Sequence, residues 1–164
     1  AHVFASDIAP ARCAAFADVP NVAIVDPATI YDLEVDVFSP CAVGGVLNRG
    51  TIDRLRCAVV VGAANNQLAD AEADAALHAR GIRYAPDYAV NAGAVALGAA
   101  YFLDMNFDAI ETVQRAVERI GETVRRIFDE SDADGQPPGA VADRLAADAL
   151  VRPRSTERQW WPVA

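Results

Sequence analysis

Val35-Asp36-Val37-Phe38-Ser39-Pro40-Cys41-Ala42-Val43-Gly44-Gly45-Val46-Leu47-Asn48 is an apolar strand that runs into a loop where small side chains and backbone face outward. A second strand, Cys57-Ala58-Val59-Val60-Val61-Gly62, ends in Ala63-Ala64-Asn65-Asn66-Gln67. Two successive strands therefore deliver small-residue, amide-bearing ends to one edge of a sheet. In open α/β sheets that edge is where ligands bind.

Outward from this pair, the chain alternates strand and helix. Strands are expected at residues 3–6, 22–25, 35–39, 58–61 and 82–85, with helical segments at 11–17, 27–31, 51–55 and 71–80. Asp70 is placed to cap the last of these and Gly81 to stop it. Such alternation implies a parallel sheet with right-handed crossovers. Beyond residue 90 the pattern turns helical. A small-residue helix opens at Asn91-Ala92-Gly93 and reaches about Leu103. Ile110, Val113, Val117, Ile120, Val124 and Ile127 then mark one apolar stripe on a long helix that should pack against something large. A Gly/Pro/Asp loop is expected at 131–138 and a further helix at 140–151. Residues 152–164 read as a polar tail, mobile apart from Trp160 and Trp161. Residues 1–90 are thus expected to form one alternating unit, and 91–151 the helices of the same domain.

Composition narrows the function. The 164 residues suffice for one domain with a sizeable core, and the net charge of −9 argues against nucleic acid as a partner. No apolar run reaches the roughly 18 to 20 residues of a membrane span, and no secretory segment opens the chain, so no membrane association is expected. Cys13, Cys41 and Cys57 form no C-x-x-C pair, and with His2 and His78 they give no metal-ligand spacing. The expected setting is reducing and cytoplasmic. Residue 1 is Ala and the single methionine is Met105, which is expected of a chain that begins inside a longer protein.

Asp7 ends the first strand, where a dinucleotide fold holds the adenosine ribose; its alternative use is as a helix N-cap. The glycine-rich phosphate loop should precede such an Asp by about 20 residues, and no G-x-G-x-x-G occurs in the chain. Either Asp7 is a cap, or the first strand and its glycine loop lie upstream. Loops at Pro40-Cys41-Ala42, Ala63-Ala64-Asn65 and Asn91-Ala92-Gly93 would project from one edge. They leave room for a planar ring, with Asn65 and Asn91 offering amide donors and acceptors. Cys41 has no cation or His near it in sequence and is not read as a nucleophile. Cys13 and Cys57 read as small core residues and His78 as a solvated one.

Asp36-Val37-Phe38-Ser39-Pro40-Cys41-Ala42-Val43-Gly44-Gly45, Gly62-Ala63-Ala64-Asn65-Asn66-Gln67-Leu68, Gly81-Ile82-Arg83-Tyr84-Ala85-Pro86-Asp87-Tyr88 and Asn91-Ala92-Gly93 follow in unbroken order. In these motifs the chain resembles the C-terminal, cofactor-binding part of the glutamate/leucine/phenylalanine/valine dehydrogenase family, over roughly residues 3–150. The resemblance implies a Rossmann-like doubly wound parallel sheet lacking its first strand and glycine loop, followed by C-terminal helices that lead to a hinge with a missing substrate domain. It implies NAD-dependent oxidative deamination of an L-amino acid to the 2-oxo acid and ammonia, by a full-length chain expected to form a homo-oligomer.

Position by position, the resemblance makes Asp7 the ribose ligand, with Ile8 beside the adenosine and Arg12 at its edge. Cys41, Ala42, Ala63 and Ala64 would line the cofactor. Asn65 would lie near the nicotinamide ribose and the substrate amino group, and Asn91 near the carboxamide. An Asp at the ribose favours NAD over NADP. Ala94 stands where the family usually has a second glycine, and Val95 with Gly98 shares a helix face that helps line the substrate pocket. Gly98 would enlarge that pocket for a bulky apolar amino acid, phenylalanine-like as readily as leucine-like. The family's catalytic Lys and Asp, and the Lys for the substrate carboxylate, belong upstream, so this stretch alone is expected to be inactive. The rival readings are a non-catalytic nucleotide-binding or regulatory module of the same fold, and a small-molecule binding domain in which Asp7 is only a cap.

Overall fold

The computed structural model describes residues 1–102 and 110–151. The expected tail after residue 151, and Leu103 at the end of the small-residue helix, lie outside the described residues. Five short strands alternate with helices: β1 (Val3–Ala5), α1 (Pro10–Ala14), β2 (Val22–Ile24), β3 (Val37–Phe38), α2 (Arg49–Ile52), β4 (Val59–Val60), α3 (Glu72–Ala79) and β5 (Arg83–Tyr84). A 3-10 turn, Ile30–Asp32, precedes β3. Among the described residues α4 (Asp87–Val90), α5 (Ala92–Phe102), α6 (Ile110–Glu118), α7 (Ile120–Asp134) and α8 (Pro138–Val151) follow.

All strand pairings are parallel, in two separate sheets. β1 pairs with β2 in the register Val3 to Val22 and Phe4 to Ala23. β3, β4 and β5 pair in that order, with Val37 opposite Val59 and Val60 opposite Tyr84. In the doubly wound order 3-2-1-4-5-6, β1 and β2 occupy the second and third positions and β3 to β5 the fourth to sixth. Among the described residues no strand fills the first, central position between β1 and β3.

The core follows the larger sheet. Leu47, Ile52, Leu55, Val60, Ala73, Leu77, Ile82 and Tyr84 are buried together, joining α2 and α3 to β4 and β5. Asp70 accepts from the Glu72 and Ala73 N–H groups (3.0 and 2.9 Å), so it caps α3 as its position predicts. β1 and β2, by contrast, leave Val3, Phe4 and Ile24 about four to five tenths exposed, and α1 buries no residue.

The C-terminal helices differ from the periodicity in two respects. The apolar stripe is divided at Arg119 into α6 and α7, and only its far end is buried: Ile127 packs on Val141 and Ala142 of α8, while Ile110 and Val117 are exposed. The loop expected at 131–138 is shorter, because α7 continues to Asp134 and ends on Gly135 in the left-handed region (φ 64°). The buried Ser131 hydroxyl donates to the Gln136 carbonyl (2.5 Å) and closes that turn.

α8 takes its first-turn partner from another element. The Gly139 N–H donates to Asp74 Oδ2 of α3 (2.9 Å), and a Cβ on residue 139 would stand 2.5 Å from that oxygen. Burial pushes the Asp74 carboxyl above its ordinary range, against the pull of the Gly139 and Ala140 N–H groups. A carboxyl that binds its proton more tightly folded than unfolded stabilises most below its unfolded pKa, and that contribution fades as pH rises through the folded value. Asp74→Asn keeps an acceptor for Gly139 and removes the charge. Denaturant titrations of the full-length protein are expected to show a flatter pH dependence just above the ordinary carboxylate pKa for this variant. Asp74→Ala should cost about 1 kcal/mol at pH 7, the size of a lost helix cap.

Candidate functional site

The two loops that open the sequence reading remain stitched together beyond the ends of their strands. The Ala64 N–H donates to the Pro40 carbonyl (3.0 Å), the Gly45 N–H to Asn66 (2.8 Å) and the Leu47 N–H to Gln67 (3.0 Å). Two glycines permit this approach. A Cβ on Gly62 would lie 2.6 Å from Pro40 N and 2.7 Å from Pro40 C, and one on Gly44 would lie 2.8 Å from the Asn65 and Asn66 carbonyl oxygens. Real Cβ atoms do not approach backbone so closely. The glycines are therefore packing requirements of the crevice wall as well as turn residues.

Gln67 fixes the second loop from beneath. Its side chain is fully buried, and Nε2 donates to the Gly62 and Ala64 carbonyls (2.8 and 2.9 Å). Cys41, Ala42, Ala63 and Asn65 are exposed, with the larger Val43 beside them also exposed, while Ala64 is buried. The Cys41 thiol lies 3.4 Å from the Ser39 hydroxyl, a weak polar contact.

Asn65 and Asn91 meet. Asn91 Nδ2 donates to Asn65 Oδ1 (2.6 Å), joining the loop after β4 to the junction between α4 and α5. This direct contact between residues 26 apart could not be read from spacing. At the same junction a Cβ on Gly93 would approach Val117 Cγ2 of α6 to 3.2 Å, whereas Ala94, the departure from the family pattern, is exposed. On α5, Val95 is 73% exposed, and a Cβ on Gly98 would meet no atom within 4 Å, so that helix face carries open space.

Asp7, Ile8 and Arg12 form a separate group at the end of β1. Asp7 Oδ1 accepts the Ala9 N–H (2.8 Å), and Arg12 approaches Oδ2 at 3.4 Å. α1 begins after Ala9 without a side-chain cap, so Asp7 closes a turn before the helix and is not its N-cap. The Ala9 N–H, with a smaller pull from Arg12, holds the carboxyl below its usual range. With one short contact and one long one, the carboxylate keeps lone pairs for two further donors, and Ile8 beside it is 92% exposed. This group stands on the first sheet, and the Asn65–Asn91 pair on the second. Among the described residues no cluster of three or more His, Cys, Asp or Glu side chains is placed to hold a metal, and no helix is long and apolar enough to cross a membrane.

The profile of the family described as Glutamate/Leucine/Phenylalanine/Valine dehydrogenase matches residues 9–149. The chain belongs to that family. It is 42% identical over 132 residues to a leucine dehydrogenase of Thermoactinomyces intermedius, covering 80% of this chain and 35% of that one. It is 41% identical over 134 residues to a valine dehydrogenase of Streptomyces coelicolor, covering 81% and 36%. The crystal structure of L-tryptophan dehydrogenase from Nostoc punctiforme superposes with a TM-score of 0.83 at 34% identity, over 91% of this chain and 44% of that chain. The chain thus spans little more than a third of the length of these two curated relatives. Its two sheets and C-terminal helices are those of a Rossmann-like dehydrogenase domain.

Two residues of the candidate site were not given roles by the sequence. Gln67 appeared only as one more amide, and Asp87 only within the motif from Gly81 to Tyr88. A polar residue after an apolar strand does not reveal whether its side chain turns inward, and that direction decides both cases.

Proposed function

We propose that the chain is the cofactor-binding part of an NAD-dependent L-amino-acid dehydrogenase, which deaminates an apolar amino acid to its 2-oxo acid and ammonia. The observation that carries this reading is the joined Asn65–Asn91 amide pair, set on a wall of small residues whose glycines admit no side chain. That wall suits a flat ring, and the pair offers both a donor and an acceptor to a carboxamide. Asp7 supports NAD as the cofactor, because its carboxylate has capacity for the two ribose hydroxyls and would repel a 2′-phosphate. Bound there, NAD would supply the hydride acceptor. Cys41, Ala42 and Ala63 would exclude water from one face of it, with buried Ala64 supporting that wall from behind, and Asn65 would orient the substrate amino group. The lysines and aspartate that move protons and hold the substrate carboxylate belong to the upstream domain of the full-length chain, which we take to be a cytoplasmic homo-oligomer.

Open space at Gly98 beside exposed Val95 supports a bulky apolar substrate. The experiment is steady-state NADH formation by the full-length protein on L-leucine, L-valine and L-phenylalanine. Turnover of at least one of them is expected. In Gly98→Val the ratio of kcat/KM for phenylalanine over leucine should fall about tenfold, the discrimination of roughly one or two methylenes in a hydrophobic pocket. No turnover of any L-amino acid would overturn the dehydrogenase reading, and an unchanged ratio would overturn the role of Gly98.

A further inference from the structure

The amide pair is held by a residue that touches neither side-chain amide. Asn66, next to Asn65, has a left-handed backbone (φ 52°), a conformation that asparagine accepts more readily than other non-glycine residues and that its surroundings fix here. Two restraints do so. On one side the Gly45 N–H donates to the Asn66 carbonyl (2.8 Å). On the other, the Asn66 N–H donates to Asp87 Oδ2 (2.8 Å).

Asp87 is itself fixed. The Tyr84 hydroxyl donates to Asp87 Oδ1 (2.8 Å) and accepts from the Asp87 N–H at 3.2 Å, while the Tyr84 ring is only 1% exposed in the core of the sheet. The Asp87 carbonyl in turn accepts the Asn91 N–H (2.8 Å). One residue thus grips the neighbour of Asn65 through its carboxylate and Asn91 through its backbone, and is anchored to β5 by a buried tyrosine.

We propose that Asp87 is the positioning residue of the nicotinamide end of the site: its carboxylate sets the Asn65 turn at the height at which Asn65 meets Asn91. The inference rests on the dehydrogenase reading above for its kinetic consequence and on geometry alone for its structural one. Binding of the adenosine half of the cofactor runs through Asp7 on the other sheet and is independent of Asp87. Misplacing the amides should therefore lower the rate of the chemical step and leave cofactor affinity almost untouched, since an error of about 1 Å at a reacting centre is enough to lose on the order of a hundredfold in rate.

The test uses the full-length protein and three variants. Asp87→Ala should lower kcat about 30- to 100-fold with the NADH dissociation constant, from fluorescence titration, changed less than threefold. Asp87→Asn keeps an acceptor for the Asn66 N–H and should restore kcat to within about fivefold of wild type, a rescue that loss of bulk packing would not give. Tyr84→Phe, which frees the carboxylate without removing it, should fall between the two and covers the case in which the alanine variant does not fold. Equal loss in Asn and Ala variants, or less than a threefold fall in both Asp87→Ala and Tyr84→Phe, overturns the proposal. So does a crystal structure of Asp87→Ala, or of Tyr84→Phe should the alanine variant not fold, in which Asn65 Oδ1 and Asn91 Nδ2 remain in the same hydrogen bond. That structure decides the positioning role even if wild type turns over no amino acid, the outcome that would refute the dehydrogenase reading instead.

Discussion

Gly62→Ala in the full-length protein is expected to lose at least about 3 kcal/mol of stability, the upper end of overpacking effects, and with it NADH binding. The added methyl would meet the nitrogen, carbonyl carbon and carbonyl oxygen of Pro40, all of them backbone, so no side-chain rotation relieves it. Relief requires the loop after β3 to part from the loop after β4. That movement breaks the Ala64 to Pro40 hydrogen bond and shifts the Gly62 carbonyl off the buried Gln67 amide. A buried amide donor that loses its acceptor carries a further penalty of about 1 to 3 kcal/mol. Gly45→Ala is the matched control: it meets no atom within 4 Å but sits at φ 71°, so its cost is backbone strain alone, about 1 kcal/mol. Urea melts of the two variants should separate them clearly. Similar midpoints would show that the close approach of the two loops is not a requirement of the fold.

The second large effect concerns the polypeptide of residues 1–164 by itself, which should give no single cooperative melt and should aggregate at micromolar concentration. β1 and β3 each present an edge that no described strand pairs, and Val3, Phe4 and Val37 on those strands are between four and five tenths exposed. Exposed apolar strand edges recruit other strands. Among the described residues the β1–β2 unit contributes no member to the buried cluster formed around Leu47, Ile52 and Tyr84, so that cluster does not couple its unfolding to that of the larger sheet. A polypeptide extended by the upstream domain and strand proposed above should melt in one sharp transition. Circular dichroism and light scattering on the two polypeptides make the comparison, and a monodisperse 164-residue chain with a single sharp transition would contradict it.

The same contrast shows what was legible in the sequence. The alternation of strands and helices, the parallel sheet and the convergence of the loops after β3 and β4 followed from local pattern: short β-branched runs, Gly and Pro punctuation, and Asp70 ahead of a helical stretch. The separation of β1–β2 from β3–β5 agrees with the sheet order that the family resemblance implies, in which a further strand stands between them. The apolar stripe from Ile110 to Ile127 was legible as a stripe, but its burial was not. Only Ile127 finds a partner in α8, and periodicity says which residues share a face without saying what covers it.

By itself, then, the sequence determined the class of fold and the family, since each is written in residue order and short-range spacing. The tertiary structure decided how the site is held: Asn65 against Asn91, Asp87 beneath Asn66, Gln67 turned inward, and Asp74 reaching Gly139 across 65 positions of chain. Gln67 finds its partners three and five residues away, and what hid it was the inward turn of its side chain; the other three share one reason. A short polar side chain forms its hydrogen bond with whatever folding brings within 3 Å, and no local propensity or periodic signal marks a partner that lies tens of residues away.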